Sequence, residues 1–203
     1  MILIRYTPLQ VMCADAVGDT KGMHMMKTEI QGPEGLDVSL ERSTLVVKGA
    51  QGEVSKEFRH PLVKIKLDAG KIILTCENDK RKMKAIIGTW EVLVKNMFSG
   101  VVKVWKGDMK LVYSHFPVKL KIDGHRLLID NFLGEKSPRT VDIPQGMKVV
   151  IEGAVLFVSG PDKEKVGHLC GRIEQTTRVS GYDKRVFQDG IYITRKPYPE
   201  GSE

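Results

Sequence analysis

The residues best suited to nucleophilic or metal chemistry are five histidines and three cysteines. They stand apart, with no His-x-x-x-His pair and no paired cysteines, so neither a zinc site nor a disulfide framework is indicated. Ser114-His115 lacks the Gly-x-Ser-x-Gly elbow of a hydrolase, and no phosphate-loop or dinucleotide-binding glycine motif occurs. The sequence therefore predicts no enzyme, no metal and no cofactor.

Basic residues carry more information, because lysine and arginine number 32 against 25 acids, a net charge of +7. Such an excess permits binding to a polyanion without proving it. Towards the C-terminus the cations lie among Tyr182, Phe187, Tyr192 and Tyr198. RNA-binding surfaces typically combine cations that contact phosphates with aromatic rings that stack on bases. The alternative interpretation is an ordinary solvated surface whose aromatic rings pack inward. The cations concerned are Lys184, Arg185, Arg195 and Lys196, with Arg172, Arg178, Lys136 and Arg139 as possible contributors to one cationic surface.

A second basic cluster comprises Lys80, Arg81, Lys82 and Lys84 at the start of a predicted helix. Cations at this end oppose the helix dipole, so helix propensity does not account for them. A solvated helix face is the default interpretation. A phosphate contact is a weaker possibility here than in the C-terminal segment, because no aromatic residues accompany these charges.

Both basic clusters lie next to predicted helices, and the two helices share one pattern of apolar residues. In the segment 160–178, Val166, Leu169, Cys170 and Ile173 follow the i, i+3, i+4, i+7 spacing of one apolar face, and Asp162 is placed to cap the helix. The segment 78–95 repeats this pattern 83 residues earlier, with Asp79 in the capping position. Gly88 and Gly171 occupy one repeat position, which suggests close backbone approach there. The sequence therefore contains the same amphipathic helix pattern twice.

Strand-like segments recur in the same order before each helix. A second match, of Gly52, Glu53 and Ser55 with Gly134, Glu135 and Ser137, has an offset of 82. The sequence therefore predicts an α+β fold of two tandem, duplicated small domains, each a mainly antiparallel sheet packed against one amphipathic helix. The predicted strands are residues 36–40, 44–48, 54–59, 63–67 and 71–76, then 101–105, 110–116, 118–122, 126–132, 140–143, 148–152 and 155–159.

The predicted boundaries divide the chain into an N-terminal extension, two domains and a short tail. Residues 1–25 lack periodicity and are expected to be flexible, and one hypothesis places the true translation start near Met23–Met26. The first domain spans residues 26–100, the second residues 101–197, and the tail residues 198–203. No stretch has the ~18–20 uninterrupted apolar residues of a membrane span, so no membrane partner is predicted.

Five sequence motifs, in this order along the chain, resemble the large-subunit ribosomal protein L-six family. Their sequences are similar to those of its archaeal and eukaryotic branch. The resemblance covers roughly residues 26–197, and no counterpart to residues 1–25 is expected. The motifs are Asn-Met-Phe-Ser-Gly-Val from Asn96, Tyr-Ser-His-Phe-Pro from Tyr113, Asn-Phe-Leu-Gly-Glu-Lys from Asn131, Val-Ser-Gly-Pro-Asp from Val158, and Arg-Val-Phe-Gln-Asp-Gly-Ile-Tyr-Ile from Arg185.

This resemblance implies a structural, rRNA-binding component of the large ribosomal subunit in the cytoplasm, near the sarcin–ricin loop and the base of the factor-binding stalk. It implies neighbouring ribosomal proteins as partners, with translation factors close to the first domain. Most rRNA contacts are expected from the second domain. Carried onto this chain, the resemblance and the basic pattern favour Lys136, Arg139, Lys163, Lys165, Arg178, Tyr182, Lys184, Arg185, Arg195 and Lys196 as rRNA-binding residues.

Two other hypotheses stand beside this one. The chain could be a non-ribosomal protein-interaction module whose repeated domains present sheet edges or helices to partners. It could also be an unrecognised hydrolase that uses His115 or His168, for which the sequence gives poor support. Co-sedimentation with large subunits separates the first two hypotheses, and turnover lost on changing either histidine would support the third.

Overall fold

The computed structural model describes residues 26–33, 35–68, 71–76, 80–114 and 116–201. These residues form thirteen strands, two α-helices and one turn of 3₁₀-helix. The expectations for residues 1–25, the Asp79 cap and His115 lie outside the described residues. The elements are β1 (Met26–Gln31), β2 (Asp37–Glu41), β3 (Thr44–Gly49), β4 (Gly52–Glu57), β5 (Val63–Asp68), β6 (Lys71–Cys76), α1 (Arg81–Val102), β7 (Trp105–Val112), β8 (Lys119–Asp123), β9 (Arg126–Asp130), the 3₁₀ turn (Phe132–Gly134), β10 (Arg139–Asp142), β11 (Lys148–Glu152), β12 (Val155–Gly160), α2 (Lys163–Thr176) and β13 (Gly190–Pro199).

The first domain combines two three-stranded antiparallel sheets with α1. The sheets have the orders β1-β6-β5 and β2-β3-β4. Alternate residues of β3 and β6, such as Leu45, Val47, Ile72 and Leu74, point into one core and are fully buried. Ile87 and other apolar residues of α1 complete that core, as period-2 strands and a 3.6-period helix require.

The second domain repeats this plan and adds a strand. Its sheets have the orders β10-β9-β8 and β11-β12-β7-β13, again antiparallel throughout. Leu127, Ile129, Met109 and Leu156 meet the apolar face of α2 in a separate core. The predicted α+β class, with duplicated antiparallel units each packed on one helix, is confirmed. The boundary predicted between residues 100 and 101 stays a prediction.

The predicted repeat register is wrong in one place. Val47 of β3 pairs with Val54, whereas its equivalent Ile129 of β9 pairs with Arg139. The second domain therefore holds three more residues between these strands than the offset of 82 allows. Gly52 and Glu53 belong to a strand, but their supposed partners Gly134 and Glu135 lie in and just after the 3₁₀ turn.

Helix α1 extends to Val102, beyond residue 95, where the repeated helical pattern ends in the sequence. Phe98 and Val101 are buried in the first core, so packing continues the helix to Val102. The strand predicted at residues 101–105 is consequently wrong, and β7 starts at Trp105. By length and composition α1 could cross a membrane, but its apolar residues pack against the sheets as those of a core helix do.

The two helices begin differently. Asp162 caps α2 as predicted, because its Oδ1 accepts a hydrogen bond from the Glu164 amide at 2.9 Å. The N-cap residue of α1 is Lys80, whose side chain makes no capping hydrogen bond. Gly88 and Gly171 do not mark a close approach, since a Cβ at either position would have no neighbour within 4 Å among the described residues outside its own helix.

Helix α1 also joins the domains. A Cβ on Gly100 would overlap the backbone carbonyl oxygen of Pro161, just before α2. The Trp105 indole donates to the Asn96 carbonyl at 3.2 Å, and Lys56 forms an ion pair with Glu164. The last turns of α1 thus belong to the first core while their outer side lies directly against the second domain.

Candidate nucleic-acid interface

The segment between α2 and β13 is a folded turn that presents cations. Asp183 Oδ1 accepts from the Arg185 amide at 2.9 Å, and the Asp183 carbonyl accepts from the amides of Val186 and Phe187 at 3.1 and 2.9 Å. These bonds close the turn locally, as aspartate side chains do in turns. Lys184 and Arg185 are exposed at its tip.

An aromatic pair supports the same turn. The Tyr182 and Phe187 rings lie 4.9 Å apart in a tilted arrangement. Phe187 packs against the second core, while Tyr182 remains 52% exposed. The inward ring thereby anchors the outward one, and the turn offers two cations and one flat ring to a neighbour.

Asp189 fixes the far end of this turn from inside the protein. It is fully buried, and its Oδ1 accepts from the backbone amide and hydroxyl of Ser114, at 2.9 and 3.0 Å. Its Oδ2 is buried and has no hydrogen-bond partner among the described residues. Although Asp189 lies among cations in the sequence, the structure gives it an internal, positioning role.

Thr177 attaches β13 to the end of α2. Its buried hydroxyl accepts from the Ile191 amide at 3.0 Å and lies 3.2 Å from the Ile173 carbonyl, to which it donates. The start of β13 is therefore fixed against the last turn of the helix. Sequence reasoning did not identify Thr177, because β13 itself was not predicted.

Arg139 is committed to internal contacts. Its Nε donates to Glu135 at 2.8 Å, a terminal nitrogen donates to the Thr176 carbonyl at 2.6 Å, and the guanidinium lies over the Phe132 ring. The hydrogen bond from Arg139 also lowers the pKa of Glu135. Arg139 thus closes the C-terminal end of α2, where cations are favourable, and holds the exposed Lys136 loop against it.

The ten residues predicted to bind rRNA do not form one patch. They fall into two clusters at opposite ends of α2. Fourteen residues of helix separate the ends by about 21 Å. The cluster at the C-terminal end, called here the turn cluster, comprises Lys136, Arg139, Arg178, Tyr182, Lys184 and Arg185. The cluster at the N-terminal end, called here the strand cluster, comprises Lys163, Lys165, Arg195 and Lys196, because β13 runs back along β7 towards Trp105.

In the strand cluster, rings hold two cations in place. Lys163 Nζ lies 4.5 Å from the Trp105 ring centroid, and the Arg195 guanidinium lies 3.8 Å from that of Tyr198. The Tyr198 hydroxyl donates to Asp108 at 3.1 Å; burial and this carboxylate raise the pKa of Tyr198. Such stacking orients each charge beside a ring.

The sequence missed a further group of cations and rings on the outer face of the four-stranded sheet. Lys106 Nζ lies 4.0 Å from the Phe157 ring centroid, and Lys110 stands opposite Tyr192, which is 44% exposed. Alternation along β7 could have identified the two lysines. Their juxtaposition with Tyr192 required knowing that β13 pairs with β7.

The first domain has no comparable arrangement among its described residues. Lys80, Arg81, Lys82 and Lys84 are exposed, but every cation–ring contact in the described chain involves residues from Trp105 onward. Its ring pair, Phe58 with Trp90, lies within the core. Among the described residues, Arg81 and Lys82 therefore lack the ring contacts seen in the second domain.

Nothing in the described residues forms a metal site, since no group of three His, Cys, Asp or Glu side chains converges there. His60 accepts a hydrogen bond from the Leu62 amide at 3.2 Å, which is a local turn contact. Burial raises the pKa of the Cys170 thiol to about 11, as befits a core residue. The geometry offers charge and rings for binding.

Comparison with known proteins gives a consistent result. The family model described as "Ribosomal protein L6" matches residues 32–103 and again residues 116–190. A protein of Methanocella arvoryzae named large ribosomal subunit protein uL6 is 41% identical over 169 residues, 83% of this chain and 96% of the relative. Proteins with the same name from Haloarcula marismortui and Methanosarcina mazei are 40% and 41% identical, covering 85% and 82% of this chain and 97% and 95% of the relatives.

Proposed function

The chain belongs to the ribosomal protein L6 family, and from this premise we propose that it is a structural component of the large ribosomal subunit that binds large-subunit rRNA through its second domain. The expected site lies near the sarcin–ricin loop and the base of the factor-binding stalk. Its partners are rRNA and neighbouring ribosomal proteins, with translation factors close to the first domain. It acts in the cytoplasm as part of the ribosome and carries out no reaction.

The observation that carries this proposal is the turn between α2 and β13. Lys184 and Arg185 are exposed beside the exposed ring of Tyr182, and internal bonds of Asp183 and Asp189 fix their position. Pre-positioned cations can contact phosphates without first being ordered, and a fixed ring can stack on an unpaired base. The turn cluster is therefore the proposed centre of the rRNA contact.

The strand cluster extends the surface. An A-form RNA helix or a folded loop can contact both ends of α2, since the clusters are separated by about 21 Å. Lys163, Lys165, Arg195 and Lys196 then contact phosphates that position the RNA without reading its sequence. Arg139 contributes indirectly, by holding Lys136 and the end of α2.

The proposal is tested by sedimenting the tagged full-length chain with large subunits reconstituted without their own copy. The chain should remain bound at moderate salt, and its affinity for an isolated rRNA fragment containing the sarcin–ricin loop should fall linearly with the logarithm of salt concentration. A chain that stays in the supernatant would contradict the ribosomal assignment and favour the non-ribosomal interaction module. A salt-independent affinity would contradict phosphate recognition.

A further inference from the structure

Helix α1 has an outward face that neither core uses. Ala85, Gly88, Thr89 and Val92 follow the i, i+3, i+4, i+7 spacing, and all four are exposed; Val92 is 56% exposed. These four residues are called here the α1 outer face. The Thr89 hydroxyl donates to the Ala85 carbonyl at 2.9 Å, so even the polar member of the face is satisfied within the helix.

The duplicated helix provides an internal control. At the repeat offset of 83, the positions of the α1 outer face correspond to His168, Gly171, Arg172 and Gln175 on α2. The outward face of α2 is therefore polar, as expected for a helix facing water. Since the outward face of α2 is polar, the fold does not require a neutral outward face on this helix. The neutral face of α1 therefore needs a separate explanation.

The charges around this face are basic. Arg81 and Lys82 are exposed in the first turn of α1, which contains no acid, and the positive end of the helix dipole lies there too. Further along the helix, Glu91 is paired with Lys95 at 2.6 Å. An occupant that complements this surface combines apolar side chains along the helix with acidic side chains near its N-terminal end.

We propose that the α1 outer face docks an acidic amphipathic helix of a partner protein. Apart from its own helix and chain neighbours, no atom of the described residues lies within 4 Å of the position that a Cβ on exposed Gly88 would take, so a second helix can approach the α1 backbone closely at that point. The apolar side of the incoming helix covers Ala85 and Val92, and its acids meet Arg81 and Lys82. This is packing of one helix against another, strengthened by charge.

Other occupants complement the surface less well. RNA would find no phosphate partner along the neutral stretch from Ala85 to Val92. Residues 1–25 of this chain contain two basic and two acidic side chains and so lack the acidic excess that the cations favour. The inference concerns the first domain and does not depend on rRNA binding by the second.

The test titrates the full-length chain with a fluorescent synthetic acidic peptide of about 18 residues, carrying leucine at i, i+3, i+4, i+7 and glutamate elsewhere. A second peptide replaces every glutamate with lysine. The acidic peptide should bind, more weakly at high salt, and the basic peptide should not. Val92→Glu should weaken binding roughly tenfold, the effect of about 1.4 kcal/mol.

Gln175→Glu places the same change at the equivalent position of α2 and should leave peptide affinity unaltered. Val92→Glu should bind the rRNA fragment like the unmodified chain, which separates this test from that of rRNA binding. Absence of acidic-peptide binding, equal binding of both peptides, or an unchanged affinity of Val92→Glu would overturn the proposal. It would also be overturned if Val92→Glu weakened rRNA binding, or if removal of residues 1–25 created the peptide site.

Discussion

The two domains share a plan but differ at one sheet edge. In the first domain β1 pairs with β6, and in the second β7 pairs equivalently with β12. Strand β7 also pairs with β13, whereas no described residue pairs with the other edge of β1. The addition to the second copy contains the turn with Lys184 and Arg185 and the strand with Arg195. The proposed binding apparatus is thus an extension of one copy of a duplicated scaffold.

The helices show the complementary difference. The buried face keeps the same apolar spacing in both, because each must fill a core, but the outward faces diverge: neutral on α1, polar on α2. Duplication preserved what packing requires and left exposed positions free to change. This comparison predicts large effects where the domains meet, intermediate effects where the turn cluster is positioned, and small effects on the outward faces.

The largest effect on stability is expected from Gly100→Ala at the domain junction. The new methyl group would overlap the Pro161 carbonyl and lie 2.8 Å from the Trp105 indole nitrogen, and a backbone neighbour cannot simply rotate away. We expect the free energy of unfolding to fall by about 3 kcal/mol in urea titrations. Ser99→Ala, at the exposed neighbouring position, is the control and should change it by less than about 0.5 kcal/mol. Comparable effects of the two changes would contradict a tight junction.

Arg139→Met should destabilise the second domain by about 1–2 kcal/mol, because it removes charge-assisted hydrogen bonds to Glu135 and to the end of α2. Lys136→Met, in the same loop but exposed, is the stability control. Urea unfolding measures both, and rRNA titration should show a loss for either variant. If Arg139→Met weakened rRNA binding without any loss of stability, Arg139 would be a direct contact and not a positioning residue.

The same interaction has a pH dependence. The folded pKa of Glu135 is lowered by the hydrogen bond from Arg139, so the stabilisation is present above the ordinary carboxyl pKa. It is lost as the pH falls through the lowered folded value. The stability difference between the unmodified chain and Glu135→Gln should therefore shrink on acidification below about pH 4.5, and a difference that grew instead would contradict the assigned ion pair.

The smallest effects are expected at the two repeated glycines. Gly88→Ala and Gly171→Ala should each raise the free energy of unfolding by about 0.5–1 kcal/mol, since alanine favours the helix and meets no neighbour. Thermal or urea unfolding of the single variants checks this. Destabilisation by either change would instead support a close backbone approach at that glycine, as the sequence suggested.

The sequence correctly predicted those strands and helices whose apolar residues all face a single core. Strands β3, β5 and β11 alternate clearly or carry β-branched runs, and the apolar spacing of α2 identified that helix within a few residues. Strand β13 was missed because Arg195, Lys196 and Pro197 obscure its alternation; pairing with β7, interrupted by irregular register, overrides that local composition. The end of α1 was missed because Asn96 and Gly100 have low helix propensity and their tertiary contacts cannot be read from the sequence.

The candidate site was predicted in composition more than in arrangement. Charge and ring content pointed to Lys184, Arg185 and Tyr182, which the structure brings into one turn. Arg139 could not be separated from them, because its internal partners Glu135 and Thr176 are set by the loop and by tertiary packing. The positioning role of Asp189 was not predicted either, because nothing in the sequence indicates that its carboxylate is buried.

The central claim, that the second domain binds rRNA, is tested most directly by paired charge reversal. One variant changes Lys184, Arg185, Arg195 and Lys196 to glutamate, and the other changes Lys80, Arg81, Lys82 and Lys84. In titrations of the rRNA fragment, the first variant should lose on the order of a hundredfold or more in affinity and the second far less, with a shallower salt dependence for the first alone. Equal losses from both variants, or a greater loss from the second, would contradict the account.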